Sequence, residues 1–199
     1  MIAPHAQQPN RRWATLACAL MLACEAGSAN DDGDEEESSS SAASNDEGPV
    51  HEIPVDVVAP DLWVADLAVD PMAMHQPAMV DCAIGFKDEF GVFEVDTGLC
   101  NYGVFVQPTL TDLGAGELLE LVFTHDDLLA PEPAQGHVAI AIGGRVVYEV
   151  YVEIPKPYGL EQGAWITDMP IPAGTPVTLH LHNHGYNSWR LVSIKASTP

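Results

Sequence analysis

The stretch HVAIAIGGRVVYEVYVEI, residues 137–154, decides the fold. Val138, Ile140 and Ile142 alternate with His137, Ala139 and Ala141, the two-residue period of an extended chain with one face buried. Gly143 and Gly144 then separate two β-rich runs, the spacing and chemistry of a two-residue hairpin with a primed turn. Outward from this hairpin, Gly, Pro, Asn and Asp bound further runs that predict strands at 62–69, 79–86, 91–95, 103–107, 117–124, 164–166, 177–182 and 189–195. No segment after Val50 carries a 3.6-residue apolar repeat. The links between most runs are long and rich in proline, which predicts an all-β two-sheet β-sandwich over residues 50–199 rather than a simple meander.

Alternation also names the expected core. Leu119, Leu121, Phe123, Val138, Ile140, Ile142, Val147, Val177, Leu179 and Leu181 fall on inward positions, with Trp189 closing one end. The run KPYGLEQGAW, residues 156–165, reads as a loop that displays Tyr158 and Trp165.

The chain has 199 residues and carries 29 acidic side chains against seven Lys and Arg, a net charge of -22, which excludes docking onto nucleic-acid phosphates. Nine of the acids lie in EAGSANDDGDEEESSSSAASNDEG, residues 25–48, which has no Val, Ile, Leu, aromatic or basic residue. Such a segment has nothing to bury against the entropy of ordering, so residues 25–49 are expected to be a disordered acidic linker. Residues 50–199 keep 20 acidic and five basic side chains, a net of -15.

Ahead of the linker, Arg11 and Arg12 precede the apolar run WATLACALMLAC, twelve residues ending at Cys24. That run is too short to span a bilayer and fits the apolar region of an export signal, residues 1–24. Leu22-Ala23-Cys24, with an apolar run before it and a polar tether after it, resembles the lipobox of bacterial lipoprotein precursors, although Met21 stands where Leu is usual. The resemblance implies lipidation at Cys24, a membrane contact through that anchor only, and a mature domain in the cell envelope, periplasmic or on the outer surface. An ordinary signal peptide cleaved near Ala26 or Ala29 is the alternative. In either case the domain leaves the cytoplasm, so Cys82 and Cys100 are expected to form one disulfide, with two buried free thiols as the other reading.

The C-terminal run GTPVTLHLHNHGYNSWRLVSIKAS, residues 174–197, resembles the last two strands of carbohydrate-binding jelly-roll modules, where an aromatic residue and an Asn-Gly turn lead into the terminal strand. What this implies is a galactose-binding-like sandwich, with no ligand residue carried over from that family. Exposed rings commonly stack on sugar C–H faces, so Tyr158, Trp165 and Tyr186, with His184 and Asn187 of the same turn, are candidate ligand contacts in their own right.

The same run holds the densest chemistry in the chain, His180-Leu181-His182-Asn183-His184. Residues two apart on a strand share a face, so His180 and His182 form a row opposite Leu179 and Leu181, joined by His184 if the strand persists. Neutral imidazoles side by side suit zinc or copper, and His125 and His137 are candidates to complete a transition-metal set. A polar sheet face and a sugar-binding face are the competing readings. Asp56, Asp61, Asp66, Asp70, Asp126 and Asp127 could offer oxygens to calcium, but no DxDxDG spacing is present. The chain has no GxSxG, HExxH, GxxxxGK[ST] or GxGxxG motif, which favours binding over catalysis. The sequence thus predicts an exported module that binds a carbohydrate or a protein, with a metal-binding protein or metalloenzyme using the HLHNH run as the alternative.

Overall fold

The computed structural model describes residues 52–198. The export signal, Cys24 and the whole of the linker lie outside the described residues. Eleven strands are formed: β1 Val55–Asp56, β2 Val64–Ala65, β3 Phe86–Glu89, β4 Val92–Asp96, β5 Tyr102–Pro108, β6 Leu118–His125, β7 Ala134–Ile142, β8 Arg145–Ile154, β9 Gly159–Ile166, β10 Pro176–Asn183 and β11 Ser188–Ser197. They make two antiparallel sheets, as the all-β sandwich reading requires. One has the order β3-β4-β11-β6-β9, with β1 also pairing β11; the other runs β2-β5-β10-β7-β8.

The core lies between the sheets. Leu119, Leu121, Phe123, Trp189 and Leu191 from the first sheet pack with Val138, Ile140, Leu179, Leu181 and Phe105 from the second. Every predicted core residue is in this cluster, Val147 as a partly buried member at its margin. In β11 the inward set changes parity: Trp189 and Leu191 are buried, then Ile194 and Ala196, because a bulge between Leu191 and Ser193 inserts Val192 and turns it outward.

Three predicted segments differ from the structure. Residues 62–69 hold only β2, flanked by single 3-10 turns, since Asp66 Oδ1 accepts the Ala68 N–H and folds the chain away from extension. Residues 79–85 form no strand; the hairpin instead begins at Phe86 and turns through Phe90 and Gly91, whose φ values are 53° and 84°. An aromatic residue in that conformation is uncommon, so the turn was not readable from residue type.

The 156–165 run contains an edge strand rather than a loop. Glu161, Gly163 and Trp165 of β9 face the same way as their β6 partners Phe123, Leu121 and Leu119. Glycine is required at 163, where a Cβ would collide with the Tyr148 ring of the opposite sheet.

Cys82 and Cys100 are joined as a disulfide across 18 residues. It pins the irregular segment that precedes β3 to the turn between β4 and β5. Cys100→Ser is expected to lower unfolding free energy by about 3 kcal/mol in the chain-entropy account of such a loop, read as a shift in the urea midpoint.

Candidate functional site

The parity of β10 sets the site. Leu179 and Leu181 enter the core, so His180 and His182 stand on the outer face of the five-stranded sheet. Cross-strand register then carries a row of rings across that face. His182 lies opposite Tyr102 of β5 on one side and His137 of β7 on the other, and His137 lies opposite Tyr151 of β8. The His137 and Tyr151 rings are parallel within 1° at 4.2 Å, and Tyr102 meets His182 edge-on at 5.1 Å.

Half of this face is covered. The segment 66–76, which carries 3-10 turns at Leu67–Val69 and Ala73–His75, crosses it and is fastened by Asp70. One Asp70 carboxylate accepts the Tyr102 hydroxyl, the His180 Nδ1–H at 3.0 Å and the Met72 N–H at 2.8 Å. His180 is consequently fully buried instead of lining an open row, while His182 is half-buried and His184 exposed. On the uncovered side, Glu149 Oε1 accepts from His137 Nε2 at 2.9 Å and from the Tyr151 hydroxyl at 3.0 Å.

Burial dominates the acid–base state of these histidines. It pushes His180 down to about 4 against the opposing pull of Asp70, and His182 down to about 4 with help from the nearby His184. His137 is also lowered, burial outweighing Glu149. All three are neutral at pH 7, and each imidazole offers one donor and one acceptor. Burial together with Glu149 raises the Tyr151 hydroxyl above its ordinary value, so it stays protonated as a donor.

Beside the covering segment a cleft of about 920 Å³ opens. Rings of His75, His137, His182 and Tyr151 line it, together with the polar ends of Gln135 and Glu153. Gln135 Nε2 donates to Glu153 Oε1 at 2.6 Å, which fixes both against the wall. Past His182 and His184 a smaller depression of about 440 Å³ continues toward Asn101 and Tyr186.

The predicted site residues divide accordingly. His137, His180 and His182 share one face, and His184 and Tyr186 border the adjoining depression. His125 does not join them. It follows Phe123 by two residues on β6, so it faces inward on the other sheet, fully buried against Trp189 with Nδ1 at 2.8 Å from the Asp126 carbonyl. Asn187 is buried in the turn before β11, where its Oδ1 accepts the Leu129 N–H. Trp165 is a core-edge residue with the Arg145 guanidinium 5.5 Å over its ring, and Tyr158 leads into β9; neither lines the cleft. Asp126 is tied to Arg190 and Asp127 accepts the Tyr158 N–H, so the acids proposed for calcium are dispersed. Among the described residues no three His, Cys, Asp or Glu side chains are assembled at metal-binding spacing.

Sequence reasoning missed Tyr151, Glu149, His75 and the clamping role of Asp70. Alternation along residues 145–154 already places Glu149, Tyr151 and Glu153 on one face, a signal that was present. Asp70 and His75 lie on irregular chain and had none.

No family model and no curated protein matches the chain. Solved structures similar to it include a CBM4 module at 14% identity, covering 75% of this chain and 97% of that one with a TM-score of 0.40. A CBM22-1 xylan-binding domain of Paenibacillus barcinonensis aligns at 10% identity over 74% of this chain and 97% of its own, TM-score 0.40. A CBM61 module solved with beta-1,4-galactotriose aligns at 9% identity over 70% and 92%, TM-score 0.40. The chain spans only 29% of the Agl-KA catalytic domain, at a TM-score of 0.39. What this chain binds therefore follows from its own residues.

Proposed function

We propose that the domain is a carbohydrate-binding module that takes a sugar chain in the cleft on the outer face of its five-stranded sheet. The observation that carries this reading is the half-exposed Tyr151 ring, held flat by its parallel stack on His137 and by its hydroxyl bond to Glu149. A fixed aromatic face suits the C–H face of a pyranose at little entropic cost, and buried area on such a ring dominates recognition. Around it Gln135, Glu153 and neutral imidazoles supply donors and acceptors for hydroxyl groups. A volume of about 920 Å³ fits a short oligosaccharide, within the usual range of about 300–1,000 Å³ for ligand sites. A glycan array probed with the full-length protein tests the reading: retention of an oligosaccharide class supports it, and a blank array removes it.

The same proposal places the domain outside the cytoplasm, held at the cell envelope by a lipid on Cys24 with the acidic linker as spacer. The lipobox-like Leu22-Ala23-Cys24 and the composition of residues 25–49 support it. Mass spectrometry of the mature N-terminus is expected to find an acylated Cys24; an unmodified terminus beyond that residue contradicts the anchor.

A further inference from the structure

We propose that His137 and His180 hold one zinc-class divalent transition-metal ion, with His75 as the third protein ligand. Each of the two inner imidazoles is already arranged as a metal ligand. His180 Nδ1 faces Asp70 Oδ1 at 3.0 Å, so its proton sits there and Nε2 keeps a lone pair. His137 is the mirror case: Nε2 donates to Glu149 Oε1 at 2.9 Å, and Nδ1 keeps the lone pair. Both lone-pair nitrogens are buried without a hydrogen-bond partner, on residues only 0% and 4% exposed. A buried polar atom left in that state costs about 1–3 kcal/mol, and here two occur on neighbouring rings of one sheet face.

A carboxylate on the far nitrogen is the usual support of a metal-bound imidazole, fixing its tautomer and raising its basicity. Asp70 and Glu149 give it to both rings. The ring centroids stand 4.9 Å apart. Two imidazoles sharing a tetrahedral ion at zinc–nitrogen distances of about 2.0–2.1 Å have centroids about 5 Å apart. His75 brings the third ring to 5.3 Å from His137 and sits exposed on the short Ala73–His75 turn. Since no three ligands are yet gathered among the described residues, uptake requires the His75 side chain to swing inward, a rotamer change open to an exposed residue.

The test titrates zinc alone into the purified, chelator-stripped full-length protein without a histidine tag. It is followed by calorimetry and by nitrogen NMR of the imidazoles. No sugar is present, so the outcome is independent of the carbohydrate reading. One ion per chain is expected, with the resonances of His137 Nδ1 and His180 Nε2 moving on binding. His75→Ala should weaken binding at least tenfold, and Glu149→Gln about 10–100-fold by loss of imidazole support. His184→Ala should leave it unchanged. His75 and Glu149 are exposed, so neither variant depends on refolding the buried face. The proposal is overturned by absence of saturable uptake, by unchanged affinity in His75→Ala, or by zinc shifts confined to His182 and His184.

Discussion

Asp70→Ala should lower the unfolding free energy by about 4 kcal/mol and expose residues 66–76 to proteolysis. The carboxylate joins the covering segment to two strands at once, through Tyr102 on β5 and His180 on β10. Its removal leaves the buried His180 N–H unsatisfied and the Tyr102 hydroxyl with only the long 3.3 Å contact to the Met72 carbonyl, losses of about 1–3 kcal/mol each, and frees the loop they anchored. Asp70→Asn keeps the shape and one acceptor, so it should lose about half as much. Urea unfolding of the three proteins measures the difference, and limited proteolysis locates it. Equal stability of Asp70→Ala and the parent would show that the segment is held by other contacts.

Acidification should destabilise the fold through the histidines of the same face. His180 and His182 have folded values pushed to about 4, below the ordinary value near 6.5. Between these limits the unfolded chain binds protons that the folded chain cannot, so stability rises with pH through this window and is lost as pH falls from about 6.5 toward about 4. Above it the two histidines make no pH-dependent contribution. Glu94 acts in the opposite sense within the carboxylate range, because burial raises its folded value. Urea midpoints measured at pH 7.5, 6.0, 5.0 and 4.5 should fall steadily, and His182→Gln should flatten the decline. A midpoint constant from pH 7.5 to 4.5 would mean that the imidazoles protonate freely in the folded state.

How much of this was legible in the sequence depended on regularity. The hairpin of β7 and β8 and the inward residues of β6, β7 and β10 follow from a two-residue period and a Gly-Gly turn. The row of His180 and His182 followed from the same period, which also aligns Glu149 and Tyr151 on one face, although the sequence reading did not take up that second signal. What alternation could not supply was the second layer on that row. Asp70 and His75 come from a segment of Asx turns and 3-10 turns whose position is set by tertiary contacts to Tyr102 and His180. His125 shows the converse: as a histidine next to an aspartate it resembled a ligand, but its parity with Phe123 committed it to the interior of the other sheet. Only residues 164–166 of β9 were read as strand, because the glycines before them look like loop punctuation, whereas Gly163 is there to admit Tyr148.

The central claim is that the Tyr151 face of the cleft, and not the aromatic residues at the β9 edge, meets the sugar. Calorimetric titration of an array-selected oligosaccharide into the parent protein, Tyr151→Ala and Trp165→Ala tests it most directly. The account predicts at least a tenfold loss of affinity for Tyr151→Ala, about 1.4 kcal/mol or more, and parental affinity for Trp165→Ala. Unaltered binding by Tyr151→Ala, with the loss falling on Trp165→Ala, would contradict it.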